Sequence, residues 1–183
     1  MTYLSKGLLV RKTQNALIIS HCGAEYELTG ERAAIWENGR QWPQETNQDQ
    51  ILQELFKKGL IEASPDTGNE AIFRILIKCA ICPVKKPAFP ALWSQPEREL
   101  YKWITRAGLQ LTIAELVFLN HNKIKPERRL LGEKNRQALT KLIYTTETIP
   151  DGILESHMER TPERDSTINA VLGLLGKYQI FLI

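Results

Sequence analysis

The residues best placed to do chemistry in this chain are its cysteines and histidines. His21 and Cys22 are adjacent, and Cys79-Ala80-Ile81-Cys82 is a CxxC. A thiol beside an imidazole becomes a nucleophile pair when a third group orients the base. Neighbours in an extended chain face apart, and the sequence names no third group for His21-Cys22. A structural zinc usually takes four ligands, and no second CxxC exists. On a continuing strand Cys79 and Cys82 would point to opposite faces, so a buried strand cysteine is the reading adopted.

His157, beside Ile153, Leu154 and Met158, reads as a core histidine, and His121 as a surface one. The signatures GxSxG, GxxxxGK[ST], HExxH and GxGxxG are absent. The aspartates, Asp49, Asp66, Asp151 and Asp165, are too scattered to suggest a magnesium-dependent phosphoryl-transfer site. The sequence therefore predicts no catalytic residue, no metal and no cofactor.

Charge supplies a different candidate. From Lys123 to Lys141 seven basic residues stand against Glu127 and Glu133, a net of +5. Arg128, Arg129, Lys134, Arg136, Gln137 and Lys141 are the candidate nucleic-acid contacts. With Leu139 turned to the core, Lys134, Gln137 and Lys141 fall on the opposite helix face. Cations flanking an amide suit phosphate contact and base reading. The competing reading is a solvated helix face.

Residues 145–165 then reverse the sign, with Glu147, Asp151, Glu155, Glu159, Glu163 and Asp165 against Arg160 and Arg164, a net of −4. This acidic stretch either neutralises the basic one or marks a basic protein partner. Residues 29–63 carry a net of −2, so a DNA contact must come from the second half.

These residues must be positioned by two unlike halves. Pro83, Pro87, Pro90 and Pro96 make residues 83–96 an extended connector, pinned by Phe89 and Trp93. Residues 1–82 before it read as an α+β domain. Leu8–Arg11 and Ala16–Ser20 form a hairpin, and Glu25–Leu28 adds a strand. Thr29 caps a helix that Gly39 ends. A capping box from Asn47 to Gln50 opens a second helix carrying Ile51, Leu52, Leu55 and Phe56 at helical spacing. Gly59 stops it and Leu60-Ile61 starts a strand. After the turn Ser64–Glu70, Phe73, Ile75, Ile77, Cys79 and Ile81 alternate as a strand. Strand, turn and strand after a helix build a wing, so this half is winged-helix-like with a small antiparallel sheet.

Residues 97–183 read as mostly helical. Ser94/Glu97 and Thr112/Glu115 are capping boxes, with Gly108 ending the first of these helices. Further helices span Glu133–Thr145 and Ile153–Met158, and Thr161-Pro162 opens the last one. Tyr178–Ile183 ends the chain as a strand.

The segments LTGERAAIWENG (Leu28–Gly39) and ILQELFKKGLIE (Ile51–Glu62) resemble the small winged-helix-like peptide-binding modules typified by the peptide chaperone of pyrroloquinoline quinone biosynthesis. Leu28, Thr29, Ala34, Ile35, Trp36 and Gly39 match the first block, and Leu52, Leu55, Gly59, Leu60 and Ile61 the second. The family has a full helix between the blocks, whereas Arg40–Gln50, with Pro43, has room for one turn. The resemblance implies the fold of the first half more than an activity.

The 183 residues, 43% hydrophobic and 25% charged, suffice for one large or two small domains. No segment reads as a signal peptide or a membrane span, and three unpatterned cysteines fit a reducing compartment, so the expected location is cytoplasmic. A charge of +3 with a pI near 8.7 is mildly basic.

Two readings follow. One is a non-enzymatic regulator that touches DNA phosphates through residues 123–141. The other is a protein- or peptide-binding module, adaptor or homodimer, with no nucleic-acid contact; four tryptophans favour it, a residue type enriched at binding hot spots. A third, an enzyme assembled from dispersed residues, has no constellation behind it.

Overall fold

The computed structural model describes residues 1–84, 92–106, 111–132, 135–144 and 160–183, without the Asp49 side chain. The chain is α+β, with strands concentrated in its first part and helices in its second. It divides into two compact units. The first holds Met1–Val84 and Leu175–Ile183, and the second Lys85–Leu174. The last residues thus group with the first unit, not with the helical region expected to run to Ile183.

The first unit begins with β1 (Thr2–Ser5), β2 (Leu8–Lys12), β3 (Ala16–His21) and β4 (Ala24–Thr29). β2, β3 and β4 form an antiparallel meander. Its β3 residues alternate, Leu17 and Ile19 being buried, as a sheet with one covered face requires. Thr29, in extended conformation, is the N-cap of α1 (Gly30–Asn38), although its side chain makes no capping bond. Ile35 and Trp36 turn inward, and Gly39 closes the helix as expected.

β5 (Gln44–Glu45) follows, then α2 (Asp49–Lys57) and β6 (Ile61–Ser64). The capping box expected at Asn47 does not form. Gln48 is the N-cap, and the Thr46 hydroxyl accepts its N–H at 3.2 Å, so a short turn replaces the box. β1 lies between β5 and β6, placing β6 at an edge of this second sheet. Tyr3, Leu17, Ile19, Leu28, Trp36, Leu52, Leu55, Leu60 and Ile61 share one core cluster.

The wing is a correction. Phe73–Ile81 is not a strand: α3 (Gly68–Leu76) occupies most of it, and β7 (Ile81–Pro83) begins beyond. Ile72, Ile75 and Leu76 stand at i, i+3 and i+4 and are all buried, the stripe of a helix, whereas Ile77 of the alternation read as a strand is exposed. Arg74 reaches Glu70 one turn back at 3.3 Å and Asp66 at 3.2 Å, contacts suited to a helix start. β6 pairs with β1, and β7 with β8 (Ile180–Leu182), so no β6–β7 hairpin exists.

The second unit carries α4 (Gln95–Arg106), α5 (Ile113–His121), a 3-10 turn (Arg128–Leu130), α6 (Arg136–Ile143) and α7 (Pro162–Gly176), the last entering the first unit in its final turn. Both expected capping boxes are present. Ser94 N–H donates to Glu97 Oε2 at 2.7 Å and Glu97 N–H to Ser94 Oγ at 3.4 Å. Thr112 and Glu115 repeat the exchange at 2.7 and 3.3 Å. Asn120 Nδ2 ties α5 to α7 through Glu163 O and Thr167 Oγ1, both at 3.0 Å.

Trp93 is buried edge-on to Tyr101 of α4, with ring centroids 4.7 Å apart. Phe89 with half of the proline connector (85–91), Gly108, Glu133, and the expected Ile153–Met158 helix with His157 lie outside the described residues. Among the described residues no helix is long and apolar enough to cross a membrane.

Candidate functional site

The basic region is assembled from the 3-10 turn and α6. Asn135 fastens one to the other, its Nδ2 donating to Leu131 O at 2.8 Å and Arg128 O at 3.2 Å. α6 buries Leu139 and Ile143 and exposes Arg136, Gln137 and Lys141, as the periodicity requires. Arg128 and Arg129 are exposed as well, while Lys134 lies outside the described residues.

The cations fare differently. Lys125 pairs with Glu99 at 2.9 Å and Arg129 with Glu127 at 2.8 Å. Arg128, Arg136 and Lys141 have no carboxylate partner among the described residues. Of the acidic stretch, Glu163 faces His121 at 3.9 Å and Asp165 faces Arg164 at 3.9 Å. Glu147, Asp151, Glu155 and Glu159 fall outside the described residues. Residues 122–135 separate α5 from α6, far more than the roughly 3–4 of a helix-turn-helix.

Next to Lys141, Tyr144 closes α6. Its hydroxyl donates to Glu115 Oε1 at 2.5 Å, while Oε2 of the same carboxylate holds the Thr112 cap. Burial, then the Glu115 carboxylate, push the phenol up to about 12. A raised phenol stabilises the fold fully below the unfolded value near 10, and that contribution is lost as pH climbs toward 12. Tyr144→Phe should therefore cost about 1 kcal/mol near pH 8, discounted for exposure, with the gap to wild type closing above pH 10. Urea unfolding across that pH range measures it.

A groove in the first unit was not foreseen. Leu52, Gln53, Phe56 and Lys57 of α2 face Ile61 and Ala63 of β6 and Met1 across an open space of about 340 Å³. Phe56, at helical spacing with Ile51, Leu52 and Leu55, is 49% exposed, and Met1 is 51% exposed. Leu52 and Leu55 use up the inward face of α2, leaving Phe56 on the rim. The signal available was four apolar residues on a nine-residue helix, a stripe wider than one buried face. Lys57, exposed beside it, has no carboxylate partner among the described residues, whereas Lys58 is held by Glu54 at 2.9 Å.

The thiols separate sharply. Cys79 is buried, donates to Ile75 O at 3.3 Å, and burial pushes it up to about 12, which suits a core residue. His21 and Cys22 do not face apart. Cys22 takes φ +49° in a two-residue turn with Gly23 between the paired residues His21 and Ala24, and its Sγ comes within 3.4 Å of His21 Nε2. Cys-Gly between two strands is a turn signal that could have revealed this.

No known family model, curated protein or solved structure matches the chain.

Proposed function

We propose that this chain is a protein- or peptide-binding module. Its first unit takes an extended segment along the groove between α2 and β6. The observation that carries the reading is the groove itself, an open apolar trough with a half-exposed phenylalanine on its rim.

Its volume of about 340 Å³ falls within the usual range for ligand sites, enough for one large apolar side chain and its neighbours. β6 is the last strand of its sheet, and the trough beside its Ile61 and Ala63 can take the apolar side chains of an extended peptide. Lys57 on the rim selects a carboxylate beside the apolar anchor. The likeness of Leu28–Gly39 and Ile51–Glu62 to peptide-binding modules agrees with this ligand class, and the −2 balance of residues 29–63 disfavours phosphate.

Selection from a random peptide library on the immobilised chain tests the proposal, with counter-selection on Phe56→Glu. Enriched sequences should pair a large apolar residue with Asp or Glu. They should bind Phe56→Glu at least ~10-fold more weakly, since the lost apolar contact is worth about 1.5–3 kcal/mol. No enrichment, or equal binding to both proteins, contradicts it.

Arg128, Arg136 and Lys141, exposed and without a carboxylate partner among the described residues, favour a second reading, a regulator that touches DNA phosphates. Fluorescence anisotropy with labelled duplex should then show binding that weakens steeply with salt. Reversing the three charges to Glu should lower the slope of log affinity against log salt by about 0.9 for each lost contact. Absence of binding at low ionic strength ends this second reading.

A further inference from the structure

The β3–β4 turn holds the one thiol of the three that is exposed. The imidazole beside it is not a surface group: His21 is 7% exposed, and its Nδ1 has no hydrogen-bond partner among the described residues. Gly59 stands against the ring, where an added Cβ would lie 3.4 Å from Nε2. Burial first, and then the positive charge of Lys6, lower the pKa of the imidazole and so favour its neutral form.

That fixes the tautomer. A buried N–H without an acceptor costs about 1–3 kcal/mol, more than a bare ring nitrogen whose lone pair goes unused. The proton therefore belongs on Nε2, which points at Cys22 Sγ 3.4 Å away. A buried donor is thus aimed at an exposed sulfur, and it strengthens its bond as negative charge develops there. The Cys22 side chain is exposed to solvent.

We propose that Cys22 is a modification site for low-molecular-weight disulfides of the glutathione class, with His21 as its positioning residue. The Cys22 thiol loses its proton to solvent, and its sulfur attacks one sulfur of the reagent. A Cys22–sulfur bond forms, the reagent's S–S bond breaks, and the departing thiolate takes a proton from water. Cys22 is oxidised to the disulfide level and one reagent sulfur is reduced to a thiol. The product carries its adduct on the open tip of the hairpin.

The full chain would be incubated with glutathione disulfide at neutral pH, quenched with acid at intervals, and mapped by peptide mass spectrometry. Cys22 should acquire the adduct ahead of Cys82, while Cys79 stays free. Its native rate should exceed that of the same cysteine in the urea-unfolded chain by about tenfold. His21→Phe, which keeps the ring but removes the donor, should bring the native rate down to the unfolded one. A native rate no faster than the unfolded rate overturns the proposal, as does a folded His21→Phe chain retaining full reactivity. Should that variant not fold, the native-against-unfolded comparison decides the matter.

Discussion

Trp36→Ala should lower the stability of the first unit by about 4 kcal/mol. Trp36 is fully buried in the cluster where the meander, α1, α2 and β6 meet. Its removal leaves a cavity that these elements cannot jointly close. It also strips a hydrogen bond, because Trp36 Nε1 donates to Lys6 O at 2.9 Å and that carbonyl would lose its partner. Domains of this size are stable by about 5–15 kcal/mol, so the loss removes a large share of the total. Urea unfolding followed by circular dichroism measures it. Trp36→Phe, which keeps most of the volume, should cost less than half as much; equal costs would mean the hydrogen bond, not the packing, dominates.

Gly39→Ala is the second large effect, and its cause is contact rather than backbone freedom. Gly39 has φ −75°, which any residue adopts. A Cβ there would sit 2.5 Å from Cε2 of the Tyr3 ring and 2.6 Å from Ser5 Oγ. Neither neighbour can yield cheaply. Tyr3 donates its hydroxyl to Ile35 O at 3.0 Å, and Ser5 donates to Trp36 O at 2.6 Å, so both are tied to the helix that Gly39 ends. Forcing β1 away should cost about 3 kcal/mol. Gly23→Ala is the control, with open space but φ +82°, and should cost about 1 kcal/mol from backbone strain. If Gly23→Ala proves the more damaging of the two, the close packing of β1 on Gly39 is wrong.

What the sequence disclosed was mostly local. The Leu8–Ser20 hairpin, the helix between Thr29 and Gly39, and the boxes at Ser94/Glu97 and Thr112/Glu115 are each written in a few neighbouring residues. Pairings between distant segments were not readable. Nothing in Thr2–Ser5 announces that it will lie between Gln44–Glu45 and Ile61–Ser64, nor in Ile81–Pro83 that it will pair with Ile180–Leu182. The wing failed for a related reason. Ile72, Phe73, Ile75 and Leu76 fit a strand by propensity, and packing of the helical stripe overrode it.

The candidate sites divide the same way. Exposure of Arg136, Gln137 and Lys141 follows from one helix and its period. The groove needs Met1, Phe56, Ile61 and Ala63 to converge from three segments, which no window of sequence contains. His21 and Cys22 are adjacent, yet their contact depends on a positive φ at a cysteine, a conformation the extended-strand assumption excluded.

Amide hydrogen exchange of the full chain, with and without a selected peptide at saturating concentration, addresses the peptide reading most directly. Slowed exchange concentrated in Asp49–Lys57 and Ile61–Ser64, and lost with Phe56→Glu, is the predicted result. Slowing confined to Arg128–Ile143, or none in α2 and β6 despite tight binding, would contradict it.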